Sequence, residues 1–213
     1  SEEERETALG YAEFKRKNVE DRERYMTVYF PCGRIGLKGF FVDNKLPESC
    51  GHTVYGVYCE NEKTYTIGEM LEKLPKEEMD VFQLNELFCR FDKLPEEMQR
   101  VYDLTLQLKE PRNVKGMIDL MEHLSEVCVV NGIQNERQLG EFLVENELFD
   151  VSFPDEVLPY LDYAKIGREH MQTHQGKLIQ GAYVEDTSTD NVNQFSQESN
   201  EENDQSDDYE MKL

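Results

Sequence analysis

The stretch ENELFDVSFPDEVLPYLDY, residues 145–163, holds six carboxylates (Glu145, Glu147, Asp150, Asp155, Glu156 and Asp162) and no Lys, Arg or His. Leu148, Phe149, Phe153, Leu158, Tyr160 and Tyr163 lie between the acids. Disordered acidic tails are poor in such large apolar groups, so this stretch predicts a folded segment. Its negative charge is uncompensated from within. Any fold of the chain must keep these carboxylates in water while burying the side chains between them.

The imbalance extends over the whole chain. Acidic residues number 45 and basic residues 23 among 213, a formal charge of −22. From residue 186 onward nine acids face one base, which takes up eight of those charges and leaves 14 on residues 1–185. Such a surface repels nucleic acid and anionic membrane. A partner held by charge must be basic, as proteins built to hold DNA or RNA are. A solvated acidic face also serves solubility alone. Within residues 136–163, however, eight acids stand against Arg137 alone. A helix rises about 1.5 Å per residue, and duplex DNA carries one negative charge per about 1.7 Å of axis. Carboxylates spaced along folded helices therefore approximate a phosphate track. Glu136, Glu141, Glu145, Glu147, Asp150, Asp155 and Glu156 are the candidate partner-binding acids.

Hydrophobic periodicity predicts a mixed α+β chain. Residues 1–24 mix eight acids with six bases and read as a charged lead-in, weakly helical. YMTVYFPCG, GFFVDN and HTVYGVYCEN read as strands of a small sheet-containing domain over 25–75. A helical domain is expected over 76–125. There Leu84, Leu87, Phe88 and Phe91 recur at helical spacing, Pro95 opens a second helix, and Asn113 caps a third. Residues 126–185 predict an α/β domain. EVCVVNG is a strand with a turn, and Asn135 caps ERQLGEFLVENE with Leu139, Phe142 and Leu143 inward. PDEVLPYLDYAKIGREHM is a helix or helix pair interrupted by Pro159, and KLIQGAYVE is a closing strand. Residues 186–213 are too poor in apolar groups for a core and predict a disordered acidic tail.

No apolar run approaches the roughly 18–20 residues that span a membrane. The opening SEEERE has no apolar signal core, and five irregularly spaced Cys suit reduced thiols, so a cytoplasmic location is expected. Cys32, Cys50, His52 and Cys59 could together hold zinc, but no CxxC occurs and half-buried thiols are expected instead. His170 and His174, one helical turn apart in HMQTH, are expected as a solvated pair, because the glutamate of a zinc-protease helix is missing. GRIGLKG matches neither glycine-rich phosphate pattern and reads as a loop. No catalytic residue, metal or cofactor is expected.

The segment LPYLDYAKIGREH resembles the antirestriction motif of the ArdA family: an aromatic and aliphatic pair, Asp-Tyr, a short gap, then Gly-Arg-acid. Those positions are Tyr160, Leu161, Asp162, Tyr163, Gly167, Arg168 and Glu169, with Glu169 where Asp is more usual and Lys165 an added base. FQLNELFCRFDKLP is similar to the family's mid-chain helix, ERQLGEFLVEN to its later acidic helix and GKLIQGAYVE to its last strand. The likeness spans about residues 80–185. It implies an elongated chain of about three small α/β domains, dimerising with itself through the motif. It implies a mimic of bent DNA that is not an enzyme and has no cofactor. Such a mimic binds the methyltransferase core of Type I restriction-modification enzymes and does not bind nucleic acid or membrane. The alternative is an acidic module that inhibits another nucleic-acid-binding complex, such as a CRISPR effector.

Overall fold

The computed structural model of the protein describes residues 2–16, 26–43, 52–148 and 153–188. They form a mixed α+β fold of eight α-helices and two three-stranded antiparallel sheets, in two compact units, residues 1–124 and 125–213. Among the described residues no helix is long and apolar enough to cross a membrane.

In the first unit β1 (Gly10–Arg16) is the central strand, flanked by β2 (Met26–Phe30) and β3 (His52–Tyr58). Residues 10–16, expected within a charged lead-in, are therefore a strand, and among the described residues of 1–24 the helical part is α1 (Glu2–Thr7). GYAEFKR alternates with period two. Ala12 and Phe14 are fully buried, and the charges of Glu13 and Lys15 lie on the outer face. On that outer face Tyr29, Tyr11 and Tyr58 line up across the strands, with ring centroids 5.6 and 4.9 Å apart.

The expected loop in GRIGLKG and strand in GFFVDN are corrected together: residues 34–43 of these segments form α2 (Arg34–Asp43). Leu37, Phe40 and Phe41 recur at i, i+3 and i+4, and Phe41 stacks on Phe14. Gly36 and Gly39, poor helix formers, hid that period. Four helices follow: α3 (Tyr65–Lys73), α4 (Val81–Asp92), α5 (Glu96–Lys109) and α6 (Val114–Leu120). Leu84, Leu87, Phe88 and Phe91 are fully buried as their spacing predicts, and Phe88 stacks on Phe30 of β2 at 5.3 Å. One hydrophobic cluster thus runs from Leu9 to Leu124 and joins sheet and helices. The expected boundary between residues 75 and 76 falls inside it.

Asn85 ties α4 to the chain leaving β2. Its amide oxygen accepts from the Cys32 N–H and its amide nitrogen donates to the Cys32 carbonyl, both at 2.9 Å. Buried backbone groups left without partners are costly. His52 works similarly at the start of α4, where its Nε2 accepts from the Val81 N–H at 3.1 Å.

In the second unit β4 (Val127–Asn131) and β5 (Lys177–Ile179) flank β6 (Ala182–Asp186). KLIQGAYVE is therefore a hairpin, not one strand. Gln180 and Gly181, at φ of 50° and 74°, make the two-residue turn whose twist suits paired strands. Asp186, expected in the tail, completes β6, and the Thr187 N–H donates to the Glu126 carbonyl at 2.8 Å. The rest of the expected tail, from 189 onward, lies outside the described residues.

Two predictions follow from the first unit. Asn85→Ala removes both of its hydrogen bonds to the Cys32 backbone, leaving the carbonyl only the weaker Cys89 thiol, and is expected to cost about 1–3 kcal/mol, read from the urea midpoint. Asp103 on α5 is half-buried, its Oδ1 has no hydrogen-bond partner among the described residues, and burial pushes its carboxyl up to about 6. A raised carboxyl destabilises the fold as it ionises, so stability falls as pH rises from about 4 to 6. Asp103→Asn should then stabilise by about 1–3 kcal/mol at pH 8 and show no gain below pH 4, measured by urea unfolding across that range.

Candidate functional site

The helix pair of the second unit carries most of the residues in question. Asn135 caps α7 (Glu136–Glu145) as its sequence predicts, its Oδ1 accepting from the Gln138 N–H at 3.0 Å. Asp162 caps α8 (Tyr163–Thr173), accepting from the Lys165 N–H at 3.1 Å. Leu139 and Leu143 of α7 pack with Tyr183 of β6 and Ile133, and Phe142, Ile166 and Met171 close around them. The helices meet backbone to backbone. A Cβ on Gly140 would land in the carbonyl of Tyr163, and one on Gly167 in the carbonyl of Glu136. Beside that crossing Arg168 reaches back to α7, its Nε and Nη2 both donating to Glu136 Oε2, at 3.0 and 2.7 Å.

The candidate acids do not form one helical track. Glu136, Glu141 and Glu145 lie on α7, but that helix stops at Glu145, and Glu147 follows in a left-handed turn at φ 53°. Asp155 and Glu156 lie in a turn before the single 3-10 turn Leu158–Tyr160. Pro154 and Pro159, each without an N–H, leave no room there for a longer helix. Asp150 lies outside the described residues. Two of the acids are matched locally: Glu136 by Arg168, and Glu141 by Arg137 at 2.8 Å. The hydrogen bonds and charge of Arg168 hold the Glu136 carboxyl below its usual range. Lys165 lies 3.8 Å from Glu169. Every Lys and Arg of the two helices is thus taken by an acid on them, and Glu145, Glu147, Asp155 and Glu156 face solvent with no base beside them among the described residues.

The apolar groups between these acids do not all pack, contrary to expectation. Tyr160 is 86% exposed, Leu148 54% and Val157 40%. Among the described residues between α7 and α8, only the 3-10 turn Leu158–Tyr160 is regular, and it leaves them uncovered. Within the motif, Tyr160 alone offers large apolar area. Leu161 is half-buried, Asp162 is a helix cap, and the Tyr163 hydroxyl donates to the Leu158 carbonyl at 3.0 Å. Gly167 is the crossing point, Arg168 the link to α7, and Glu169 is exposed. Most of the motif thereby orders the start and docking of α8.

The other candidates are separated or recast. Cys50 lies outside the described residues, and His52 uses Nε2 to hold Val81. Burial pushes the Cys59 thiol up to about 11, and the Cys32 backbone is held by Asn85. His170 and His174 are not a solvated pair. They are 13% and 31% exposed at the side chain, and both face Glu185 of β6. Glu185 and Tyr183 had no signal in the sequence, because strand register, not spacing along the chain, brings them to α8.

No family model matches the chain, and no curated protein matches it. The helix crossing yields a direct prediction. Gly167→Ala places a methyl group against the α7 backbone and is expected to destabilise the second unit by about 1–3 kcal/mol, as overpacking does. Hydrogen exchange of the α7 and α8 amides reports it, and Arg168→Gln should change the same amides far less.

Proposed function

We propose that the chain is a DNA-mimic antirestriction protein of the ArdA kind, not an enzyme, that occupies the DNA-binding groove of a Type I restriction-modification enzyme. One observation supports this most: Glu145, Glu147, Asp155 and Glu156 stand exposed and without bases, interleaved with the exposed Leu148, Val157 and Tyr160. Carboxylates alone serve solubility. Carboxylates around exposed apolar anchors make a docking surface, because buried aromatic anchors supply affinity while charge supplies rate and selectivity. A groove lined by Lys and Arg for DNA phosphates is the partner this surface suits. The finer expectations belong to the same proposal: three small domains in an elongated chain, and a homodimer formed through the motif. For such a dimer Tyr160 is the motif residue with area to give a second copy.

The alternative partner, another nucleic-acid-binding complex such as a CRISPR effector, draws on a different observation. The free acids lie at the end of α7 and on turns, not along one helix, so they set no DNA-like repeat. Capture from a panel of purified restriction and CRISPR complexes separates the two readings.

Binding should weaken steeply between about 50 and 200 mM salt, as phosphate-mimicking contacts do, and duplex DNA should compete for the same groove. Replacing Glu145, Glu147 and Glu156 by Gln and Asp155 by Asn together should lower affinity at least about tenfold, with each single change nearly silent. Affinity that ignores both salt and competing DNA would end the mimicry proposal.

A further inference from the structure

The last turn of α8 and the middle of β6 converge on three ligand-type side chains. His170 and His174 stack with ring centroids 4.1 Å apart and planes 22° apart. Glu185 Oε2 lies 3.3 Å from His170 Nε2 and 3.9 Å from His174 Nδ1. One ligand atom from each of the three lies within 4.8 Å of the others, and among the described residues no second group of three His, Cys, Asp or Glu does so. Donors bound tetrahedrally to zinc at about 2.0–2.2 Å stand about 3.4 Å apart. The separations from Glu185 to the two imidazoles, 3.3 and 3.9 Å, bracket that spacing.

We propose that His170, His174 and Glu185 form a binding site for a divalent transition-metal ion, zinc by preference. Two imidazoles with one carboxylate suit zinc, cobalt or nickel, whereas calcium and magnesium favour oxygen ligands alone. The frame is rigid for the purpose. The histidines are one turn apart on one helix, and Glu185 belongs to the central strand of its sheet. The Tyr183 hydroxyl donates to Glu185 Oε2 at 2.6 Å, which fixes the carboxylate as the outer partners of metal ligands do. The Tyr183 ring also packs on His170 at 5.6 Å. Three protein donors leave a fourth position open, the arrangement of sites that admit an exchangeable ligand. The site shares no residue with the acids of the docking surface and does not depend on their role.

The test titrates zinc chloride into the full chain after treatment with chelator, followed by calorimetry, thermal melting and the histidine ring resonances in NMR. Expected are one zinc per chain, a higher melting temperature, and zinc-dependent shifts of the His170 and His174 rings. His174→Gln and Glu185→Gln should each lower zinc affinity at least about tenfold, while His123→Gln leaves it unchanged. His174 is at the helix end, so its variant keeps the test decisive if Glu185→Gln disturbs folding; far-UV circular dichroism checks both. Zinc that binds both variants as tightly as the parent would place the ion elsewhere and overturn the proposal. So would the lack of saturable binding at one ion per chain, or magnesium binding as tightly as zinc.

Discussion

Gly140 and Gly167 let two helix backbones touch, and that contact sets what the second unit presents. With no side chain between them, α7 and α8 have little freedom to rotate about their axes. The inner stripe of α8 then runs through Gly167, His170, Met171 and His174, at i, i+3, i+4 and i+7. Two of those four positions are polar, so the helix cannot dock on hydrophobic burial alone. Half-buried imidazoles need polar surroundings; Glu185 on β6 lies within hydrogen-bond reach of His170, at 3.3 Å, and sets its charge 3.9 Å from His174. Arg168, just off the stripe, is turned toward α7 and meets Glu136 there.

The same arrangement divides the charge of the unit. Arg137, Arg168 and Lys165 are held by Glu141, Glu136 and Glu169, so the helix surfaces are locally balanced. The surplus acids fall where regular structure ends, at Glu145 and Glu147 and again at Asp155 and Glu156. Their charge is concentrated at the end of α7 and on turns that also expose Leu148, Val157 and Tyr160. The first unit solves a different problem. There a core shared by sheet and helices is pinned by polar side chains, Asn85 and His52, that satisfy backbone groups at element ends.

What the sequence made legible is physically specific. The stripe of α4 shows because its four apolar residues lie on one face, and the caps Asn113 and Asn135 show because their side chains serve local N–H groups. The strands β2, β3 and β4 show through their β-branched and aromatic residues. β1 did not, because the charges of its outer face resemble those of a solvated tail. α2 was masked by its glycines, and the β5–β6 hairpin by a Gln-Gly turn in place of the usual Asn-Gly. Of the candidate site, the acids were legible as residues but not as an arrangement, since Pro154 and Pro159 replace the expected helix by turns. Asp162, Gly167 and Arg168 were legible as a motif, but the work of Gly167 and Arg168 in docking α8 depends on contacts with Glu136, some 30 positions away.

The position of the central strand gives the two units opposite histories during synthesis. In the first unit β1 is made before either neighbour, so each later strand emerges to find its template already present. In the second, β6 is made after both β4 and β5 and lies between them. Until Ala182–Asp186 has left the ribosome, β4 has no strand to pair with, α8 has no carboxylate for its histidines, and the Leu139–Leu143 face of α7 lacks Tyr183. The second unit therefore closes only once its last strand is free, and a chain stalled before residue 182 carries a complete first unit joined to helices with no sheet to cover.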